Sequence, residues 1–134
     1  MTRINLIPVS ELKDQHLLAE HREIKRIPNT ISSWKYKLEN IPDKFCLWTG
    51  HVKFFYNKLS WLYARYTELY EECLKRWFNV QNYKDTFTNE NISANLFNWY
   101  IPNKEDINIS NKRIQEKIQQ KPLFYRYYWI LWTD

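Results

Sequence analysis

The sequence predicts an all-α fold, and three observations indicate it. Apolar residues recur at steps of three and four over a central stretch, 51–77, which is the spacing of one face of an α-helix. Two serines, Ser10 and Ser110, stand where a polar N-cap would begin a helix. Asparagine-rich stretches separate the helical patterns. We expect a compact single domain, 1–134, built around one long central helix with an N-terminal helix, a short C-terminal helix and long irregular loops.

The N-terminal helix is predicted to begin at Ser10 and to run to about Ile24 or beyond. The stretch from Arg26 to Pro28 weakens the pattern, because the residue before a proline is disfavoured in the helical region. We predict that residues 27–49 form a loop with one short helix at about Ile31–Leu38.

The central helix is predicted from His51 to Trp77 without interruption. At 1.5 Å per residue it would span roughly 40 Å, the width of a small domain. Its stripe of aromatic residues is expected to lie in the core.

The C-terminal half is predicted to begin with a polar, irregular stretch, 79–109, which four aromatic residues anchor to the core. Those anchors are Phe87, Phe97, Trp99 and Tyr100. Ser110 then caps a short helix, Asn111–Gln120, which Pro122 stops. The tail that follows, 123–132, is rich in aromatic residues around Arg126.

The composition excludes several classes of protein. The chain has 134 residues, a formal net charge of +5, 44% apolar residues and 26% charged residues, which is a globular composition. No apolar run reaches the length of a membrane span, and no signal peptide is expected at the start. Cys46 and Cys73 form no metal-ligand pattern and no disulfide framework, so a reducing, intracellular setting is expected. The lone glycine, Gly50, excludes glycine-rich phosphate loops.

Basic charge together with 18% aromatic residues leaves two interpretations open. Cations that meet phosphates and rings that stack on bases suit a nucleic-acid-binding protein. A basic surface over an aromatic-rich core would give the same composition.

Two groups of polar residues are candidates for a site. On a helix, His16, Ala19, Arg22, Glu23 and Arg26 share one face. This face is either an ordinary ion-pair cluster or a carboxylate held among cations for chemistry. Further along the chain, three cations spaced by four residues form a basic stripe: Arg113, Lys117 and Lys121.

Thr2 offers a third kind of group. A small second residue permits removal of Met1, which would leave a free α-amine on Thr2. An α-amine has a pKa near 7.7–8.0 against about 10.4 for lysine, so roughly one in ten is neutral at pH 7. Such an amine could attack an electrophilic sugar carbon.

Three collinear blocks carry a resemblance to a known family. The first runs from Met1-Thr2-Arg3-Ile4-Asn5-Leu6 through Asp14-Gln15-His16-Leu17 to Arg22-Glu23 and Arg26. The second begins at Gly50-His51-Val52, and the third includes Ile109-Ser110, Arg113 and Tyr125-Arg126-Tyr127-Tyr128. The chain resembles the pyrimidine-dimer DNA glycosylase/AP lyase family, the endonuclease V-like enzymes of T-even bacteriophage.

The resemblance implies a DNA repair enzyme that acts on ultraviolet photoproducts. It implies that the Thr2 amine attacks the sugar C1′ under the 5′ pyrimidine of a cyclobutane dimer, that Glu23 is the essential carboxylate, and that β-elimination then cuts the strand. It further implies a DNA-facing surface formed by Arg3, Gln15, His16, Arg22, Arg26, Arg113, Lys117, Lys121, Phe124, Tyr125 and Arg126.

Partners and setting follow from the same resemblance. We expect a monomer that needs no cofactor or metal, binds damaged double-stranded DNA and no membrane, and acts in the cytoplasm, at the nucleoid or as a viral protein in a host cell. The alternatives are the same imine chemistry on another damaged base, action on abasic sites only, or a non-catalytic DNA-binding relative.

Overall fold

The computed structural model describes residues 2–33 and 39–131 and shows a mostly helical molecule. Its helices are α1 (Asp14–Ile24), α2 (Arg26–Ser32), α3 (His51–Phe54), α4 (Leu59–Lys75) and α5 (Lys104–Gln120), and its strands are β1 (Arg126–Tyr127) and β2 (Ile130–Leu131). Short 3-10 turns lie at Val9–Glu11, Lys84–Phe87 and Ala94–Leu96. The two strands form one small antiparallel hairpin. The all-α prediction is confirmed.

The N-terminal helix begins four residues later than predicted. Ser10 lies inside the first 3-10 turn, and α1 begins at Asp14 after Lys13. The cause is Leu12, which is fully buried in extended conformation and interrupts the helix between the turn and α1. The predicted end at Ile24 is correct.

The predicted loop from residue 27 is wrong for its first part, because α2 occupies Arg26–Ser32. Pro28 lies in the first turn of α2, where no helical partner exists for the missing N–H. Ile27 and Ile31 of this helix are fully buried, so packing on the core stabilises it. Most of the helix predicted at 31–38 falls on residues 34–38, which lie outside the described residues.

The long central helix is two helices. The chain leaves helical geometry between α3 and α4, and Lys58 adopts φ −129° and ψ 41°. At the break, side chains replace helical hydrogen-bond donors. The Lys58 ammonium donates to the Phe54 carbonyl, and the Asn98 amide donates to the Asn57 carbonyl. The periodic spacing of apolar residues continues through the break, so sequence periodicity could not reveal it. α4 alone spans about 25 Å.

The C-terminal helix is longer than predicted. α5 begins at Lys104, and its N-cap is Asn103, whose side-chain oxygen accepts a hydrogen bond from the Asp106 N–H. Ser110 is fully buried in the middle of the helix. The predicted end at Gln120 is correct.

Two of the four predicted aromatic anchors pack closely on the core. Phe87 is buried and stacks on Tyr63, and Tyr100 packs edge-on against Phe54. Phe97 is only partly buried, and Trp99 is 60% exposed, so its assignment as an anchor is wrong. Two aliphatic residues of the same stretch, Ile92 and Leu96, are buried instead.

The core forms where α1 and α4 pack together beneath the other elements. It includes Leu17 and Ile24 from α1 and Leu62, Tyr66 and Leu69 from α4, each 1% exposed or less. Burial of this apolar area is the main stabilising contribution to the fold. None of the described helices is long and apolar enough to cross a membrane.

We expect the substitution Trp77→Gly to stabilise the protein. Trp77 is 88% exposed and has φ +66°, a left-handed conformation that a bulky L-residue adopts at a cost of about 1–2 kcal/mol and glycine adopts freely. Little packing is lost, and the added entropy of the unfolded chain offsets only part of the gain. The measurement is the free energy of unfolding in urea.

Trp99→Gly is the matched control, because Trp99 is also exposed but is not among the residues with positive φ. It should lose stability. An equal loss in both variants would contradict the strain argument.

Candidate active site

The first described residues form an extended segment that is buried. Thr2, Ile4, Asn5, Leu6 and Ile7 are each at most 8% exposed, although they belong to no helix or sheet. A buried backbone must satisfy its N–H and C=O groups. Here side chains from four different helices supply the partners.

The N–H groups of this segment donate to side chains. The Arg3 N–H donates to Glu23 Oε1 (3.2 Å) and the Ile4 N–H to His51 Nε2 (2.9 Å). The Leu6 N–H donates to Ser110 Oγ (2.9 Å), which is why this serine is buried in mid-helix. These bonds attach the segment to α1, α3 and α5.

The carbonyl groups accept from two buried arginines. Arg65 Nη1 donates to the Ile7 carbonyl (2.6 Å), and Arg113 Nη2 donates to the Ile4 carbonyl (3.3 Å). Each residue from Arg3 to Ile7 is therefore held by its backbone, its side chain or both. The segment is fixed relative to α1, where Glu23 lies.

Glu23 lies beside the peptide that joins Thr2 to Arg3, because its carboxylate accepts the Arg3 N–H. Its other oxygen is 3.7 Å from an Arg22 nitrogen, and the Arg22 side chain is 60% exposed. A loose, exposed ion pair of this kind contributes little to stability. The Glu23 carboxylate is thus positioned by the backbone and is not enclosed by a strong ion pair.

A cavity of about 260 Å³ opens next to this carboxylate. Five of the predicted site residues line it: Arg3, His16, Glu23, Arg113 and Lys117. Asn5, Ala19, Glu20 and Ile114 complete the lining. Three cations and two carboxylates thus surround one concave space, which suits an anionic substrate that carries a reacting centre.

His16 is neutral at pH 7. Burial, together with the smaller effect of the nearby charges of Lys13, Arg113 and Arg3, lowers its pKa to about 4. Its ring stacks on Tyr125 at 4.7 Å, and its Nδ1 atom has no hydrogen-bond partner among the described residues. Burial also lowers the pKa of Arg113 to about 10, helped by repulsion from Arg3, and Arg113 stays charged.

The aromatic tail lies over the first turn of α1. Gln15 binds it at two points, since Nε2 donates to the Phe124 carbonyl (2.7 Å) and Oε1 accepts from the Arg126 N–H (2.9 Å). Asp14 accepts the N–H groups of Tyr128 (3.0 Å) and of residue 129 (2.7 Å). The tail thereby packs next to the cavity, because Tyr125 stacks on the lining residue His16.

The other predicted DNA-facing residues do not line the cavity. Arg22, Arg26, Lys121, Phe124 and Arg126 are exposed. The Lys121 ammonium lies over the Phe124 ring at 4.9 Å. The Gln15 side chain, predicted to face DNA, has both ends of its amide bound to the tail.

Sequence reasoning missed the residues that hold the site together. Glu20 pairs with Arg65, and Arg76 pairs with Glu72 and Asp14, all of them buried. The Arg76 guanidinium is enclosed by carboxylates and backbone carbonyls, including those of Leu12 and Ser10. The sequence did contain a signal for such residues: a charged residue at a position where the helical pattern places the core. Among the described residues, no group of histidine, cysteine and acidic side chains could hold a metal ion.

The chain matches a known protein family. The family model described as "Pyrimidine dimer DNA glycosylase" matches residues 1–86. The matched part includes the extended segment, α1 with Glu20 and Glu23, and α4 with Arg65.

We expect the free energy of unfolding to fall as the pH is lowered from 6.5 towards 4. His51 is neutral in the fold, because it accepts from Ile4 and is bonded through Nδ1 to the Cys46 carbonyl, and burial lowers its pKa to about 4. The unfolded chain binds a proton at about pH 6.5, so below that pH protonation favours unfolding. Urea denaturation at several pH values measures this slope.

His51→Gln is the control for that slope, because an amide can donate and accept but does not titrate in this range. The fall between pH 6.5 and 4 should be shallower in the variant. Equal slopes would exclude His51 as a source.

We expect Gln15→Ala to loosen residues 124–126 of the tail, whereas Asp14 still holds residues 128 and 129. Both hydrogen bonds that hold residues 124–126 on α1 are lost, so the Arg126 amide should exchange with solvent about tenfold faster or more, a factor that corresponds to about 1.4 kcal/mol. Hydrogen exchange followed by NMR measures it. The Ile4 amide, bonded to His51, is the internal reference and should keep its rate.

Proposed function

The chain belongs to the pyrimidine dimer DNA glycosylase family, and on that premise we propose that it excises the 5′ pyrimidine of an ultraviolet-induced cyclobutane dimer through its N-terminal amine and then cleaves the strand. The family itself acts in DNA repair on damaged DNA. The observation that carries the finer proposal is the hydrogen bond from the Arg3 N–H to Glu23, because it fixes a carboxylate beside the residue whose amine would react.

The first step forms one bond and breaks one. After removal of Met1, the neutral Thr2 amine donates its electron pair to C1′ of the deoxyribose, and the N-glycosidic bond breaks with its electron pair on the pyrimidine. The pyrimidine is protonated and stays joined to its 3′ neighbour through the cyclobutane ring. Positive charge develops on the sugar, and the Glu23 carboxylate stabilises it.

The second step opens the sugar and cuts the strand. The C1′–O4′ bond breaks, O4′ takes a proton, and an imine joins C1′ to the Thr2 nitrogen. Loss of a C2′ proton then expels the 3′ phosphate by β-elimination. Glu23 is the candidate to move these protons, and hydrolysis of the imine returns the free amine.

Access to C1′ requires a distorted duplex. A dimer has weakened stacking and pairing, which lowers the cost of extruding a nucleotide. Exposed cations around the cavity would hold the bent backbone. In this proposal Arg22, Arg26, Lys121 and Arg126 bind phosphates, and Arg3, His16, Arg113 and Lys117 line the space for the reacting nucleotide. Gln15, Phe124 and Tyr125 shape its rim through the tail.

We further propose that residues 1–134 act as one domain and as a monomer without cofactor, in the cell that holds the DNA, at the nucleoid or as a viral protein. Sedimentation of the protein alone and with one duplex tests the monomer: one protein per lesion is expected, and a two-to-one complex contradicts it.

Borohydride trapping on DNA with a single thymine dimer tests the reaction. Borohydride reduces an imine to a stable amine, so a covalent protein–DNA adduct is expected. The adduct should disappear when the terminus is acetylated or when Met1 is retained. Trapping only on abasic DNA would support the alternative in which the protein lacks glycosylase activity, and trapping only on another damaged base would change the lesion.

Glu23→Gln tests the carboxylate. We expect it to bind dimer-containing DNA as the unchanged protein does and to lose strand cleavage by at least about a hundredfold. A variant with full activity would remove Glu23 from the mechanism. If the unchanged protein binds DNA but forms no adduct with any damaged substrate, the protein is a non-catalytic DNA-binding relative.

We expect binding to fall steeply with salt. Each phosphate contact lowers the slope of log affinity against log salt by about 0.9. Lys121→Gln should make this slope less steep by about 0.9, the contribution of one phosphate contact, since Lys121 is exposed beside the tail. Lys75→Gln is the control, because Lys75 is an exposed cation that we do not assign to the interface; an equal change in both variants would contradict the assignment.

A further inference from the structure

We propose that Glu20 and Arg65 are positioning residues for the N-terminal amine, an inference that rests on the proposed function. Neither residue is needed for phosphate contact, because both side chains are enclosed, with exposed fractions of 0% and 5%. Glu20 lines the cavity, and the pair contacts the extended segment at Asn5 and Ile7.

The pair has the geometry of a strong interaction. Arg65 Nε donates to Glu20 Oε2 (2.7 Å), and Arg65 Nη2 donates to Glu20 Oε1 (3.0 Å). Two parallel hydrogen bonds fix the plane of the guanidinium relative to the carboxylate. Removing one partner of such a buried pair leaves an uncompensated charge, so each side chain depends on the other.

The pair holds the extended segment at two residues. Arg65 uses its remaining nitrogen, Nη1, to bind the Ile7 carbonyl, and Glu20 Oε1 accepts from the Asn5 side-chain amide (2.8 Å). The same Asn5 side chain accepts from Arg113 Nη2 (3.2 Å), so its orientation also sets where that guanidinium lies in the cavity. A shift of Asn5 would therefore move both the chain that leads to Thr2 and a cavity cation.

The pair also separates the roles of two carboxylates. Glu20 and Glu23 lie one helical turn apart and both line the cavity. Arg65 and Asn5 occupy the oxygens of Glu20, whereas Glu23 accepts one backbone N–H and a loose contact from Arg22. The charge of Glu20 is thus compensated by Arg65, whereas the Glu23 carboxylate stays available for the proposed reaction.

The test begins with Glu20→Gln and with adduct formation. Borohydride trapping on abasic DNA, at saturating DNA and under single-turnover conditions, gives the rate constant for the imine. A misplacement of the amine by a fraction of an ångström should lower that constant by about tenfold or more. Affinity for DNA with a non-reactive abasic analogue should stay within about twofold, because the phosphate-binding cations are untouched.

A second variant separates positioning from stability. In Glu20→Gln/Arg65→Met, no buried charge is left without a partner, so stability should recover relative to Arg65→Met alone. The imine rate should stay low, since the Ile7 carbonyl does not regain its donor and the two hydrogen bonds from Arg65 that orient the side chain at position 20 towards Asn5 are lost. If the rate recovers together with stability, or if Glu20→Gln keeps the full rate, the pair is merely structural and the proposal is overturned.

Asp106→Asn is the matched control. Asp106 is a buried carboxylate that accepts from the Tyr100 hydroxyl (2.6 Å) and does not line the cavity. Its imine rate should equal that of the unchanged protein at temperatures where both are folded. A lack of adduct in the unchanged protein would overturn the proposed function itself. A normal adduct in the unchanged protein, together with a normal Glu20→Gln rate or a recovered rate in the double variant, overturns the positioning role alone.

A separate observation concerns tryptophan. The chain has one glycine and seven tryptophans, although glycine makes up about 7% of an average protein. Trp48 and Trp77 are 63% and 88% exposed and have φ +62° and +66°, where glycine is favoured. Trp129 shares this conformation at φ +72°, although its ring also packs on Phe78. Bulky residues rarely adopt a left-handed backbone.

We infer that glycine stands at positions 48 and 77 when the protein is made in its own cell, through the codon UGA, which some genetic codes read as tryptophan and others as glycine. Peptide mass spectrometry of the protein purified from that cell tests this. Glycine is expected at both positions. Trp61, helical and stacked on Phe55 at 5.5 Å, should be tryptophan in the same sample. Tryptophan at 48 and 77 overturns the inference.

Discussion

The structure depends on how a buried, extended segment satisfies its backbone. Residues 2–7 lie in the core without the hydrogen bonds of a helix or a sheet, so side chains must replace them. Glu23, His51, Ser110, Arg65 and Arg113 do so, one or two from each surrounding helix. Because the partners come from four helices, the segment has a single position only when all four are packed.

The same constraint explains the buried charges. Arginine donates several hydrogen bonds in fixed directions, so one side chain can bind a carboxylate and a backbone carbonyl at the same time. Arg65 does this for the start of the chain, and Arg76 does it for the turn before α1, with Glu72 and Asp14 as its carboxylates. Asp14 also binds the tail. Both ends of the described chain are thus attached to the pair of helices α1 and α4.

This arrangement gives the cavity its chemical character. A carboxylate that is held by one backbone N–H shares the cavity with cations that are either buried, such as Arg113, or partly exposed, such as Lys117. Burial keeps His16 neutral, so it adds no charge to the space. In the proposed reaction the fixed groups would orient the sugar, and the exposed ones would contribute binding that salt weakens. The proposed reaction would therefore use the two kinds of cation in different steps.

The sequence by itself determined the fold class and the end points of α1 and α5, and it pointed to five of the residues that line the cavity, because helical periodicity and polar residues on one face are local signals. It did not reveal the break before Leu59 or the early start of α5. Lys58 and Asn98 compensate that break, and Asn98 is distant in sequence. Only the tertiary structure decided that Ser110 binds Leu6, that Gln15 holds the tail and that Glu20 pairs with Arg65. Each of these contacts joins residues separated by at least 45 positions, and no local pattern specifies such a partner.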